Sequence, residues 1–378
     1  MPNIFKNYFI KTSIIIFFVF ILSTGKAGAL SIMNEPDPLY LDNTGNFQLS
    51  LNVDDTTHIR GYHIIFAYDD SVINFDSAEK GNLLAEQNIG WWVVDELSTD
   101  SVKVECIIFG AGLYVQGPGE ILKINFTNSV EGRSYFNFIE WQIYDTAGEV
   151  IAGTEADDGN ILIGSPSYVS FELLLEGPYN TSSDTMQAIS SSEIPLNSPY
   201  QANYEIDSIP ENVVDWILVE LRETASGPSI GQKSMFLNQK GKAVDPFFSY
   251  PGFLAVDPGS YFMVIRHRNH LPIMSQNACQ FVESGFCYNV DLSQESNIYG
   301  SNAFKELKTG IFGMAASDMN PDGEITTADY TIWYNSFFQG DYGYEAADIN
   351  FDGEITTTDY INWYNNYILG ISSAVPEQ

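Results

Sequence analysis

Apolar and polar residues alternate in short runs along most of the chain, and the runs are punctuated by Gly, Pro, Asn and Asp. Residues 47–53, Phe-Gln-Leu-Ser-Leu-Asn-Val, set the pattern, with an apolar side chain at every second position. Runs of the same kind follow at 61–68, 91–94, 102–109, 120–126, 135–144 and 160–163. A period of two puts alternate side chains on opposite faces of a strand, so each run predicts a β-strand with one face toward a core. Turn-forming stretches such as 68–71 and 116–119 separate them. Eight or nine such strands between residues 30 and 164 predict a jelly-roll or Greek-key sandwich. After a short Ser-Pro-Ser linker at 165–167, alternation resumes at 168–175, 213–222 and 259–266, and predicts a second β-sandwich over 165–304. The fold class expected is therefore mainly β, two sandwiches in series. Residues 305–378 break the pattern and predict a small all-α unit.

That last stretch contains a segment written twice. Asp318, Asn320, Asp322, Gly323, Glu324 and Asp329 recur at a fixed offset as Asp348, Asn350, Asp352, Gly353, Glu354 and Asp359. Side-chain oxygens stand at positions one, three and five, a glycine makes the sharp turn at position six, and position seven, Glu324 or Glu354, offers its carbonyl. A hard cation is what needs this pattern, and Ca2+, two ions in all, is the cofactor expected. The usual loop closes with a bidentate Glu at position twelve, whereas Asp329 and Asp359 supply a shorter arm. Ala315-Ala316-Ser317 and Glu345-Ala346-Ala347 lead straight into the loops, so each unit reads as a loop followed by a helix, with no helix before it.

A duplicated loop-helix unit of this kind resembles the type I dockerin module of cellulosome-type assemblies over roughly residues 315–369. The resemblance implies a calcium-folded plug that pairs with a cohesin module on another protein. It also implies that positions ten and eleven of each loop face the partner, here Thr327 and Ala328 in the first copy and Thr357 and Thr358 in the second. The family's basic residues further along the helix are replaced by Tyr334, Asn335 and Gln339. A plainer reading is that calcium only staples a fold too small to hold itself together. In the first sandwich, residues 61–75, continuing to Gly81-Asn82-Leu83-Leu84, and residues 119–126 resemble a cohesin module. These phrases are strand and turn chemistry that a carbohydrate-binding jelly roll also shows. Residues 214–222 and 266–272 resemble a module of large secreted bacterial surface proteins, to which no activity attaches.

The formal net charge of −33 argues against nucleic acid as a partner, since phosphate binding needs clustered Lys and Arg. Lys6 and Lys11, the apolar run 14–22 and Ala27-Gly28-Ala29 read as a secretory leader, residues 1–29, cleaved after Ala29. The run falls short of the roughly 20 residues of a membrane span. An extracellular or cell-surface address follows, with no stable span once the leader is removed. In an oxidising compartment Cys279 and Cys287 are close enough to close a small loop, which leaves Cys106 over, buried in an alternating strand.

Trp91 and Trp92 are adjacent, so a strand would turn one inward and the other to the opposite face, where it either meets a sugar ring or a protein or, on the plainer and favoured reading, is buried under a loop. His58 and His63 have no ligand spacing around them. Arg266, His267, Arg268 and His270 gather positive charge in an acidic chain; pairing across the sheet with Asp215, Glu220 and Glu223 is the favoured reading over an anion-binding patch. Gly227-Pro-Ser-Ile-Gly231 imitates a nucleophile elbow but lacks the strand before it and the helix after it. No catalytic residues are assigned. The sequence points to a secreted noncatalytic adaptor joining cohesin-bearing or dockerin-bearing proteins through calcium-dependent pairing, with polysaccharide degradation as the expected setting. The alternatives are a carbohydrate-binding or adhesive surface protein and a glycan-active hydrolase with its site in the middle domain.

Overall fold

The computed structural model describes residues 31–35, 38–41, 45–85, 87, 89–128, 130–248, 250–282, 289–300 and 304–377. The leader expected over 1–29 and the Cys279–Cys287 closure, which needs Cys287, lie outside the described residues. No described helix is long and apolar enough to cross a membrane.

The N-terminal domain is two stacked sheets. One has the strand order Glu155–Asp157, Ser31–Glu35, Gly45–Val53, Gly119–Asn128, Ile73–Lys80. The other runs Leu39–Leu41, Gly159–Ile163, Gly132–Tyr144, Gly61–Tyr68, Ser101–Ile108, Ile89–Ser98. Alternation sets the core. In Gly61–Tyr68, Tyr62, Ile64, Phe66 and Tyr68 are buried while His63, Ile65 and Ala67 are only partly covered. Two pairings in the sandwich are parallel: Ser31–Met33 with Glu155–Asp157, and Leu39–Leu41 with Ile161–Ile163. The first strands thus lie beside the last ones. Phe66 is at the centre, its ring stacked at 4.9 Å on Phe136 and edge-on at 6.4 Å to Phe126. Phe66→Ala is expected to cost about 3–5 kcal/mol, because the cavity adds to the lost transfer energy; urea unfolding followed by tryptophan fluorescence measures it.

In the middle domain a six-stranded antiparallel sheet centres on Val213–Arg222, flanked by Ser229–Asn238 and Gly259–Arg266. Every residue of Val213–Arg222 is buried, so both faces of the sheet are covered. Short ribbons, among them Ser170–Glu172 with Asn289–Asp291 and Ser167–Tyr168 with Gly252–Phe253, supply much of the covering layer. A hairpin, Phe304–Lys308 with Ile311–Met314, packs its Phe304 and Met314 into the same core and delivers the chain to the first loop.

Two 13-residue helices follow, α1 (Thr327–Gln339) and α2 (Thr357–Leu369). Each opens with a capping box in which Thr326 or Thr356 is the N-cap, and each ends at a glycine in the left-handed conformation, Gly340 at φ 73° and Gly370 at φ 61°. Leu271 of the middle domain joins Ile325, Trp333, Ile349, Ile355 and Trp363 in their shared core. The helices are tied reciprocally: the Trp333 indole donates to Thr356 O at 3.0 Å, and the Trp363 indole to Thr326 O at 2.9 Å.

Candidate functional site

Each oxygen-rich loop is wound around its own carboxylates. In the first, Asp318 accepts from the Asp322 and Gly323 amides at 3.1 and 3.0 Å, and Asn320 Nδ2 donates to Asp322 Oδ2 at 2.6 Å. Asp329 accepts from the Met319, Asn320 and Thr326 amides at 2.7, 3.3 and 2.8 Å. In the second, Asp348 accepts from Gly353 at 3.0 Å, Asn350 Nδ2 reaches Asp352 at 2.7 Å, and Asp359 accepts from Ile349, Asn350 and Thr356 at 2.9, 3.4 and 2.8 Å. The short arm at position twelve therefore has a second task. Asp329 and Asp359 are each the third helical residue, and their carboxylates close the capping boxes while the loop folds back over them. Gly323 and Gly353 make the turn at φ 85° and 83°, a conformation that disfavours any residue with a Cβ.

Asp318, Asp329, Asp348 and Asp359 are fully buried. Burial, with the carboxylates of Asp329 and Asp322 beside it, pushes Asp318 up to about 7 against the pull of the Gly323 amide. Burial and Asp359 push Asp348 to about 7 likewise. Several buried acids crowded together are costly unless a cation joins them. The donor set of carboxylate, side-chain amide and backbone carbonyl fits a hard ion such as Ca2+. Asp348 Oδ1 is buried with no hydrogen-bond partner, as an oxygen reserved for a ligand would be. Among the described residues no three His, Cys, Asp or Glu side chains are grouped so as to hold a metal by themselves, and the fit depends on Asn320, Asn350 and the carbonyls of Glu324 and Glu354. The side chains of Glu324 and Glu354 are exposed, as are Thr327, Ala328, Thr357 and Thr358 at the head of each helix.

Of the tryptophan pair, Trp91 is 48% exposed, with its indole N–H 3.4 Å from Glu105, while Trp92 packs against the sandwich core. His63 lies 2.9 Å from Glu105, and His58 stacks on Tyr114. Cys106 is in the core, its thiol pushed up to about 12 by burial. Ser229 starts the strand Ser229–Asn238 rather than sitting on a strand-to-helix turn, so the elbow lookalike has no elbow geometry.

The basic run of the middle domain turns inward and forms ion pairs. Asp215 receives Arg268 Nε at 2.7 Å, His267 Nε2 at 3.2 Å and the Tyr344 hydroxyl at 2.6 Å. Glu220 pairs with Arg222 at 2.6 Å and with Arg266 at 3.2 Å, whereas Glu223, the third acid expected in this pairing, is exposed. Burial alone would raise Asp215, but Arg268 and His267 hold it well below the usual carboxylate range. Sequence reasoning missed the participation of Tyr344 and Phe351 from the C-terminal unit. The one signal was Phe351 itself, an aromatic residue in a calcium loop where the first copy has Pro321.

Residues 316–369 match the family model of the dockerin type I domain. The C-terminal loop-helix pair is thus a type I dockerin-like unit. Among solved structures, a non-cellulosomal cohesin from Archaeoglobus fulgidus is similar at 15% identity and a TM-score of 0.31, over 36% of this chain and 93% of that one. A type I cohesin–dockerin complex from Clostridium thermocellum is similar at 12% identity and a TM-score of 0.33, over 36% and 99%. The sixth cohesin of scaffoldin B from Acetivibrio cellulolyticus, solved with a dockerin, gives 10%, 0.33, 36% and 99%. No curated protein matches the chain.

Proposed function

We propose that this chain is a secreted noncatalytic adaptor whose C-terminal unit, folded on two calcium ions, plugs into a cohesin module of another extracellular protein. The observation that carries the reading is the duplicated loop, each copy feeding a capped helix and presenting an exposed pair, Thr327 and Ala328 or Thr357 and Thr358. Asp318, Asn320, Asp322, Asp329 and the Glu324 carbonyl hold one ion; Asp348, Asn350, Asp352, Asp359 and the Glu354 carbonyl hold the other. The N-terminal sandwich, residues 30–164, is the receptor for a dockerin on a further protein, and the middle domain, residues 165–304 as expected but extended by the β-hairpin to Met314 that packs into its core instead of joining the helices, spaces the two. A chain with both kinds of module joins secreted proteins in series, in keeping with polysaccharide degradation, and linkage raises the effective concentration of weakly held members.

Pull-down with the full mature chain from its native secreted and surface proteins tests this. Capture of cohesin-bearing chains in calcium, lost on chelation, is the expected result. Equal capture with and without calcium would overturn it. Trp91 supports a second reading, because a half-exposed indole on the outer sheet face is what a sugar ring stacks on. Polysaccharide retention of the full chain that disappears in Trp91→Ala while protein capture persists would favour it.

A further inference from the structure

The two loops are not held alike. The second is gripped by the middle domain. Arg268 lies 4.3 Å from the Tyr344 ring centre and 4.9 Å from that of Phe351, and its Nη1 donates to Glu345 O. Asn269 Nδ2 donates to Ala346 O at 3.0 Å and to Asp348 O at 2.9 Å, so it fixes the residue that is itself position one of the loop. The His267 ring stacks on Phe351 at 5.7 Å, and Gln187 donates to Phe351 O at 3.4 Å. Gly177 lies against Ile349 O with no room for a Cβ.

The middle domain meets the first copy just before its loop, where Asn269 O accepts from Ser317 N at 2.8 Å. The first loop itself borders an open polar cleft of about 510 Å³ lined by Glu220, Arg266, Pro321, Asp322 and Glu324. Its Gly323 carbonyl is bonded at 2.9 Å by Ser373 of the C-terminal tail. The carboxylates at position one differ too. Asp318 uses both oxygens on loop amides, whereas Asp348 keeps Oδ1 buried and unpartnered.

We propose that the middle domain is a built-in clamp for the second loop, with Asn269 and Arg268 as positioning residues, and that the two ion sites are consequently unequal, the second binding calcium the more tightly. This rests on the reading that the loops bind calcium. A loop already held in its bound shape loses less conformational freedom on taking up the ion, and affinity rises by what ordering would otherwise cost. By linkage, an ion in the second loop also stabilises the middle domain on which that loop sits.

Calorimetric titration of the chelator-stripped full chain with CaCl2 tests the proposal. The parent is expected to show two sites at least about ten-fold apart. Asp348→Ala removes the tighter site and Asp318→Ala the weaker one. Asn269→Ala weakens the tighter site roughly 30-fold, the worth of two neutral hydrogen bonds, and leaves the other unchanged. Near-UV circular dichroism checks that this variant is folded; if it is not, the two aspartate variants decide alone. Equal affinities in the parent, a tight site surviving Asp348→Ala, or both sites weakened equally by Asn269→Ala in a folded chain would overturn the clamp while leaving calcium binding intact. Absence of calcium binding by the parent would overturn both.

Discussion

Replacing Asp318 and Asp348 together with alanine is expected to abolish the calcium-induced rise in melting temperature of the C-terminal unit and to weaken calcium-dependent capture of cohesin-bearing chains more than about 100-fold. Loss of groups that merely orient a metal ligand already costs about 10–100-fold in metal affinity, and these two residues are the proposed position-one ligands. Each also organises its loop, because the amides of Gly323 and Gly353 turn in to meet them. Alanine at these positions leaves those partly buried amides without their acceptor. Without a cation the crowded buried carboxylates of each loop are left uncompensated, so an ion bound to the fold would add to the stability of the unit. Differential scanning calorimetry of the full chain with and without calcium, alongside the pull-down, reads both effects. A melt that still responds to calcium in the double variant would sink the ligand assignment.

Arg268→Ala carries the second large effect, about 3–5 kcal/mol of destabilisation, the usual result of breaking one side of a buried ion pair. Asp215 is fully buried, and its remaining contacts are to the Trp216 amide, the Tyr344 hydroxyl and His267. Removing the guanidinium leaves a charge without its counter-ion, and it also releases the Glu345 carbonyl and the stacked rings of Tyr344 and Phe351. The loss should therefore register in both the middle domain and the C-terminal unit. The pH dependence has a definite sign. Asp215 is depressed in the folded chain, so its contribution is complete above the ordinary carboxylate value of about 4 and is lost as pH falls toward its lower folded value. His267 and His270 are held below their ordinary value, chiefly by burial, so the unfolded chain takes up more protons below about pH 6.5 and stability declines there too. Urea unfolding between pH 7 and 4 measures the decline. Asp318 and Asp348, raised by burial, would work the other way in a calcium-free chain, so the measurement is made in saturating calcium, where equal stability at pH 7 and 5 would contradict the buried neutral histidines.

Much of the loop geometry of the candidate site was legible because its pattern is local. Oxygen-bearing residues at fixed spacing, a glycine at the turn and a threonine before the helix can all be read within 12 positions. The strands Gly61–Tyr68, Val213–Arg222 and Gly259–Arg266 were legible to the residue, the first from its period of two, the other two from apolar runs that end at an arginine. Other features depend on partners that periodicity does not name. The run 168–175, read as one strand, is two, Ser167–Tyr168 and Ser170–Glu172, because one half pairs with Gly252–Phe253 and the other with Asn289–Asp291. Asp215 and Glu220 were correctly expected to neutralise the basic run. Glu223 was not available for it, lying just past the end of the central strand. The contribution of Tyr344 and Phe351 to the Asp215 and Arg268 cluster arises only once the C-terminal unit is folded against the middle domain.

If the chain is the adaptor proposed above, its N-terminal sandwich would carry tension, and the pairing of its end strands bears on how. Its opening strands lie parallel to its closing ones, Ser31–Met33 beside Glu155–Asp157 and Leu39–Leu41 beside Ile161–Ile163. A pull on the end of Gly159–Ile163, where the domain passes to the linker, against a partner docked on the sandwich would draw that strand along its own length past Leu39–Leu41 on one side and Gly132–Tyr144 on the other. The hydrogen bonds of these ladders are then loaded in shear and share the force, instead of opening one after another as a hairpin peeled from its end would.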